Sequence, residues 1–234
     1  MDETISIKNL VEAMVEEGVE AWLFYDFRGS DPLAASILGL DPNRHSTRRW
    51  FYLVTAKGVC KKLSHRIEVG TLAAYPGELE AYASWEELQA KLQDMLKGIS
   101  AVAMQYSPQG EIPYVSYVDA GTIELIQSCG VQVISSGDLV QRIQASIDEE
   151  GYQSHCLAGE KISRIVEEAF AWTAQQINEH GSTDEFSVQS FILKRFLEEG
   201  LETYCPPIVA VGPNSSNPHY LPDHKQKDFI RNGD

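Results

Sequence analysis

One histidine near the end of the sequence stands in a setting that could support catalysis. In the run "PPIVAVGPNSSNPHY", an apolar stretch typical of a strand passes into a loop of Gly, Pro, Asn and Ser, and this loop carries His219. Functional side chains are often held in this way, on a loop fixed by a rigid element. An imidazole changes its charge near neutral pH, so it could take part in proton transfer there. A purely structural histidine is the alternative.

The other histidines and the four cysteines have simpler interpretations. His45 lies in the polar loop "DPNRHSTRRW" as a solvated residue, and His180 lies at a predicted helix end, where a cation suits the helix dipole. His155 and Cys156 lie in a predicted linker before a helix, but a metal site there would need further ligands that the sequence does not offer nearby. The cysteines form no CxxC pair, which predicts reduced thiols in a cytoplasmic protein. We therefore expect no metal ligands in this chain.

The elements that must position these residues fall into two parts. Up to about residue 150, strand-like runs such as "VEAWLFYDF" alternate with helical segments such as "SWEELQAKLQDMLKG", and "WFYLVTAKGVCKKLSH" predicts a hairpin. This alternation predicts an α/β layer with a mixed or parallel sheet over roughly residues 1–150. We assign an α/β domain, a mixed sheet flanked by helices, to residues 1–152.

The loop "YDFRGSDP" after the first predicted strand has two interpretations. It could face a substrate or a partner subunit. Alternatively, Ser30 or Asp31 caps a short helix near Ala34, which is an ordinary structural use of such residues.

Residues 153–234 have a different character. A long helix is predicted from Glu160, Ser182 and Glu185 predict a capping box at the start of a second helix, and Ile208–Val211 predicts a strand. Two helices and one strand cannot cover their own apolar faces well. We expect this part to pack loosely or to expose apolar surface.

Several segments resemble the pita-bread metallopeptidases, the family that includes Xaa-Pro aminopeptidase, prolidase and creatinase. In the second part they are "EKISRIVEEAFAWTAQQI", "STDEFSVQSFILKRFLEEG", "PPIVAVGPNSSNPHY" and "IRNGD", and in the first part "VDAGTIELIQSCGVQVISSGDLVQRI". The resemblance implies a creatinase/prolidase-type N-terminal domain over residues 1–152. Residues 153–234 would then be the incomplete first part of an α+β pita-bread catalytic domain.

The resemblance also implies roles for the two residues in "NPHY". His219 would be catalytic, binding the substrate and stabilising the tetrahedral intermediate, and Tyr220 beside it would be substrate-binding. The family uses two divalent metal ions, Mn, Co or Zn, held by two Asp, one His and two Glu. All of these ligands would follow "GD", where Asp234 matches a turn residue, so the chain is interpreted as a fragment that binds no metal itself.

The function implied is that of a metal-dependent hydrolase that cleaves Xaa-Pro peptide bonds, with the 234-residue chain inactive by itself. Two alternatives stay open. A non-catalytic module of the same fold would bind peptides or proteins, and a creatinase-like hydrolase would act without metal, using the histidine as acid and base.

The amino-acid composition argues against some classes of binding partner. The net charge of −15 argues against nucleic acid and against anionic membranes, which both attract clustered Lys and Arg. No apolar run is long enough to span a membrane, and the acidic N-terminus is unlike a signal peptide. The expected partners are a proline-containing peptide substrate and, from the family resemblance, a second copy in a cytoplasmic homodimer.

Overall fold

The computed structural model describes residues 6–41 and 46–234, and the chain divides into two compact units between Ser146 and Ile147. His45 lies outside the described residues. Within the described ranges, no helix combines the length and the apolar character that crossing a bilayer requires.

The first unit is built on a six-stranded sheet. Its strands are β1 (Ala21–Asp26), β2 (Trp50–Thr55), β3 (Cys60–His65), β4 (Glu78–Tyr82), β5 (Ala101–Met104) and β6 (Gln132–Ser135). They lie in the order β4-β3-β2-β1-β5-β6; β2 runs antiparallel to both of its neighbours, and the other pairs are parallel. The predicted mixed sheet and the predicted hairpin are both confirmed.

In the described part of the first unit, five α-helices flank this sheet. They are α1 (Ile7–Glu16), α2 (Pro32–Leu38), α3 (Trp85–Met95), α4 (Ala120–Ser128) and α5 (Gly137–Gln144). Side-chain oxygens cap four of them at the N-terminus: Ser6, Asp31, Ser84 and Asp119 accept backbone N–H groups. The structural interpretation of "YDFRGSDP" is therefore confirmed, and Asp31 is the residue that caps.

The apolar core lies on both faces of the sheet, because β1 is buried along its whole length. Leu23 and its β2 partner Leu53 belong to the cluster on one face, whereas Trp22 and its partner Val54 belong to the cluster on the other. The sequence of a strand that is buried on both faces is a continuous run of apolar residues. Each fully buried aliphatic side chain contributes about 1.5–3 kcal/mol to the free energy of unfolding.

The second unit contains two helices and a short two-stranded sheet. The elements are α6 (Glu149–His180), β7 (Thr183–Asp184), α7 (Glu185–Glu198) and β8 (Phe229–Ile230), with β7 antiparallel to β8. The prediction that the long helix starts at Glu160 is wrong. It begins at Glu149, because the Asp148 carboxylate accepts the Gly151 N–H at 2.7 Å. His155 and Cys156 consequently lie within this helix and not in a linker.

Helices α6 and α7 are joined by charged and aromatic contacts. Arg195 Nε donates to Glu168 Oε2 at 2.7 Å, and Lys161 Nζ donates to the Glu199 carbonyl at 2.7 Å. The rings of Trp172 and Phe191 stack with their centroids 5.0 Å apart. These contacts fix the position of α7, whose first turn carries the site described below.

The predicted strand Ile208–Val211 is not part of any sheet. The segment is extended, but within the described residues no neighbouring strand forms a ladder with it. It lines an open apolar groove together with side chains of α6 and α7. Phe170, Ile208 and Phe229 are 74%, 51% and 51% exposed, so the expected exposed apolar surface is present.

This lack of backbone pairing predicts fast hydrogen exchange. In the part of the chain that the structure describes, the N–H groups of Ile208, Val209 and Ala210 have no hydrogen-bond acceptor, whereas that of Val211 does. We expect the first three amides to exchange orders of magnitude faster than those of β1, which tests local stability directly. The check is native-state exchange followed by NMR, and equal protection of the two segments would contradict this expectation.

Candidate functional site

The motif "NPHY" forms a tight turn that presents His219 to solvent. The Tyr220 N–H donates to the Asn217 carbonyl at 3.1 Å, which closes a β-turn with Pro218 and His219 at its two central positions. Proline favours the first of these positions because its ring fixes φ. The Asn217 side chain adds a second bond, since its Oδ1 accepts the His219 N–H at 3.0 Å. The backbone of His219 is thus held from one side by Asn217, and its side chain is exposed.

A buried carboxylate anchors the far side of this turn. Glu185, the first residue of α7, is fully buried, and its Oε2 accepts the Tyr220 hydroxyl at 2.6 Å and the Asp228 N–H at 2.7 Å. Its Oε1 accepts the Val211 N–H at 2.7 Å, and Asn214 Nδ2 lies 3.1 Å from both oxygens. One carboxylate therefore ties together both ends of the loop that carries His219.

Among the described residues, hydrogen-bond donors and not a cation stabilise the charge of Glu185. Burial would raise its pKa, but the hydrogen bonds from Tyr220, Asp228, Val211 and Asn214 outweigh this effect and lower the pKa. Glu185 also lies in the first turn of α7, where the helix dipole stabilises a negative charge. The group is therefore ionised at neutral pH and accepts all four donors.

The predicted capping box of Ser182 and Glu185 is wrong. The cap of α7 is Asp184, whose Oδ1 accepts the Ser187 N–H at 2.9 Å. Glu185 cannot reach back along the helix, because its carboxylate points to the loop described above. Sequence reasoning missed this role, and also missed Asn214 and Asn217; the dipeptide Asn217-Pro218 was the local signal for a turn.

Tyr220 is 3% exposed, and its phenol group is engaged by Glu185. Burial, followed by the hydrogen bond to Glu185, raises the pKa of Tyr220 to about 12, so the hydroxyl remains protonated and donates. This hydroxyl faces the interior, in contrast to the exposed imidazole of His219. The structure therefore brings the two predicted site residues together in one turn but gives them different surroundings.

The segment after β8 forms the turn expected from "NGD". The Asp234 carboxylate accepts the Arg231 N–H at 2.8 Å, and the Asp234 N–H donates to the Arg231 carbonyl at 3.2 Å. Gly233 has φ +100°, a backbone conformation that other residues rarely adopt. Both the carboxylate and the backbone N–H of Asp234 therefore make hydrogen bonds within this turn.

The described residues do not fit a metal ion. Across residues 6–41 and 46–234, no group of three or more His, Cys, Asp and Glu side chains is arranged to hold one. Such a site requires several ligands at bonding distance. No chemical step through a metal can therefore be derived from these side chains.

Comparison with known proteins bears directly on the segment that contains this site. Residues 158–234 match the model of metallopeptidase family M24. The predicted family resemblance is confirmed. The match to the M24 metallopeptidases covers most of α6, all of α7 and the loop of His219. No curated protein sequence matches the chain significantly.

Solved structures extend the similarity to the first unit. A prolidase from Thermococcus sibiricus aligns with 97% of this chain at 17% identity and a TM-score of 0.54. A dipeptidase from Pyrococcus horikoshii OT3 aligns with 96% at 19% identity and a TM-score of 0.53, and dipeptidase PepE from Mycobacterium ulcerans with 82% at 14% and 0.51. These similarities confirm the predicted fold class, an α/β domain followed by the first part of a pita-bread domain. The chain spans 48% to 58% of the length of these three proteins.

Proposed function

We propose that these 234 residues are the N-terminal portion of a metal-dependent hydrolase that cleaves Xaa-Pro peptide bonds. The observation that carries the proposal is the match of residues 158–234 to family M24, a segment in which His219 is exposed on a doubly anchored turn. The first unit would be the creatinase/prolidase-type domain and the second the start of the catalytic domain. A cytoplasmic homodimer acting on proline-containing peptides stays a prediction.

His219 would act by donating a hydrogen bond from its imidazole to the oxygen of the peptide carbonyl. Negative charge develops on that oxygen when the carbonyl carbon is attacked, and a positioned donor stabilises it. The anchored turn supports this role, because a donor acts best when no reorganisation is needed. Tyr220 would be a positioning residue, holding the turn through Glu185, and any direct contact of Tyr220 with substrate stays a prediction.

We propose that the two divalent ions, Mn, Co or Zn, are held in the complete protein by residues that do not belong to these 234, as the family resemblance implies. Metal affinity requires its ligands, and this chain alone should therefore bind no catalytic metal and hydrolyse no Xaa-Pro peptide. The experiment compares this chain with the complete protein that contains it. Bound metal is measured by mass spectrometry, and hydrolysis is measured on Xaa-Pro dipeptides and longer peptides.

We expect two bound metal ions and chelator-sensitive Xaa-Pro hydrolysis for the complete protein, and neither for the isolated chain. A complete protein that is metal-free and inactive would favour the non-catalytic binding module. Hydrolysis of creatine in the presence of chelator, without action on dipeptides, would favour the creatinase-like alternative.

A further inference from the structure

An arginine that pairs with no described carboxylate lies at the edge of the sheet in the first unit. Arg49 comes directly before β2 and Phe27 directly after β1, where the ladder pairs Trp50 with Asp26. The guanidinium carbon of Arg49 lies 5.0 Å from the centroid of the Phe27 ring and 5.8 Å from a ring of Trp85, at the start of α3. Three elements of the first unit therefore meet around this cation.

The lack of an acidic partner sets Arg49 apart from a comparable arginine. Among the described residues, Arg49 and Arg195 are the two arginines that are half-buried. Arg195 forms ion pairs with three glutamates, Glu168, Glu198 and Glu199, whereas Arg49 forms none with any carboxylate that the structure describes. The chain contains 34 acidic residues and 19 Lys and Arg, so acids are not scarce. A charge withdrawn from water without an opposite charge is unfavourable, and a bound anion would remove this cost.

Asp119 lies in the same region but does not neutralise Arg49. Burial raises the pKa of Tyr25, and Arg49 opposes this rise, so the guanidinium lies near the Tyr25 hydroxyl. That hydroxyl donates to Asp119 Oδ2 at 3.3 Å. Asp119, itself a described residue, forms no ion pair with Arg49, and it already accepts the backbone N–H and the hydroxyl of Thr122. Its charge is therefore used at the start of α4.

The undescribed residues do not change this conclusion. Residues 42–45 have the sequence "PNRH", which contains no acid. Asp2 and Glu3 precede α1, and the buried side chains of α1 belong to the apolar cluster on one face of the sheet. Phe27 packs against the cluster on the other face, which also contains the buried side chains of α3.

The surroundings of Arg49 indicate which anion it would bind. The two rings lie at cation–π distance from the guanidinium, but they leave its N–H groups without a charged acceptor. A guanidinium presents parallel donors that match the two oxygens of a planar carboxylate. Arg49 keeps part of its surface exposed and Trp85 is 49% exposed, so a ligand can reach both from solvent. The indole ring suits an apolar group attached to the carboxylate.

We propose that Arg49 binds the carboxylate of a ligand and that the ring of Trp85 packs against the apolar group that carries this carboxylate. The carboxylate could belong to a small organic acid or to the C-terminus of a peptide. The site lies within the first unit and does not depend on the hydrolase proposed above.

The test measures binding to the full 234-residue chain at neutral pH by calorimetry and NMR. Benzoate is the probe, and benzamide is its neutral match. We expect benzoate to bind about tenfold or more tightly than benzamide, because only the carboxylate pairs with the charge of Arg49. The amide signals of Phe27, Arg49 and Trp85 should shift as benzoate is added. If acetyl-glycyl-phenylalanine binds more tightly than benzoate the source is a peptide, and if it binds more weakly the source is a small acid.

The variant Arg49→Lys should lose about tenfold or more of the affinity for benzoate, because lysine keeps the charge but lacks the planar pair of donors. Arg142→Lys makes the same change in α5, where the guanidinium already pairs with Glu16 and Glu17, and it should bind as the unchanged chain does.

The proposal is overturned if no saturable binding is found, if benzamide or inorganic phosphate binds as tightly as benzoate, or if Arg49→Lys retains full affinity. The NMR titration of the unchanged chain decides the matter even if this variant does not fold. Shifts that leave the signals of Phe27, Arg49 and Trp85 unmoved would also overturn the proposal.

Discussion

Glu185→Gln should destabilise the second unit by about 1.5–3 kcal/mol for each hydrogen bond to the carboxylate that is lost. Four donors converge on this carboxylate, from Val211, Asn214, Tyr220 and Asp228. A glutamine keeps the shape but replaces one acceptor oxygen with an NH₂ group. At least one buried donor would then face another donor, and each lost bond to a charged acceptor costs about 1.5–3 kcal/mol.

Hydrogen exchange at increasing denaturant concentration measures this loss of stability. The amides of Val211, Tyr220 and Asp228 are the reporters. Glu167→Gln, an exposed position on α6, makes the same chemical change without affecting any of these bonds and serves as the control. We expect the β1 and β2 amides to keep their protection. If Glu185→Gln were as stable as Glu167→Gln, the carboxylate would not be the anchor of the loop.

The lowered pKa of Glu185 gives the same variant a pH signature. Its carboxyl group binds a proton at higher pH when unfolded than when folded, so acid favours the unfolded state. The stabilising contribution is complete above the ordinary glutamate pKa of about 4.3 and is lost as the pH falls through the lower folded value. Glu185→Gln should lack this acid-dependent loss.

His219→Ala in the complete protein should lower kcat/KM for Xaa-Pro peptides by about 10²–10³, the effect of removing one oxyanion donor. The side chain is exposed and makes no hydrogen bond within the described residues, so its removal should leave the fold and the metal content unchanged. The decisive measurement is the division of the effect between kcat and KM. Loss of a donor that acts only on the transition state lowers kcat, whereas loss of a residue that binds ground-state substrate raises KM.

His180→Ala removes an imidazole from the end of α6 and is the control for losing a histidine. It should change kcat/KM little. A His219→Ala enzyme with full activity would remove His219 from the catalytic machinery, even if the complete protein hydrolyses Xaa-Pro peptides.

Prediction from sequence succeeded where local pattern and burial agree. The buried strands β1 and β2 are continuous apolar runs, and the turn before β3 contains Gly58 with φ +78°, as a tight hairpin requires. The sequence analysis made no prediction for β4, an edge strand in which one of the five residues is buried. An edge strand tolerates polar side chains on exposed positions, so it lacks the apolar run that marks a central strand.

The errors in the second unit have a different cause. The first residues of α6 are mostly exposed, including Tyr152 and Leu157, so they show no apolar stripe to indicate a helix. The bonds of Glu185 join it to residues 26 to 43 positions away, which no local pattern encodes. The position of His219 on a loop was predictable, but the acid that fixes that loop was not.

The bonds that hold the turn at "NPHY" are made by groups other than the side chain of His219. Asn217, Pro218, Tyr220 and Glu185 maintain the geometry, while the imidazole itself contributes nothing to that frame. The side chain at position 219 can therefore be replaced without the loss of any of these bonds. If His219 has the proposed catalytic role, a related protein without this histidine could keep the same turn and serve as a binding surface.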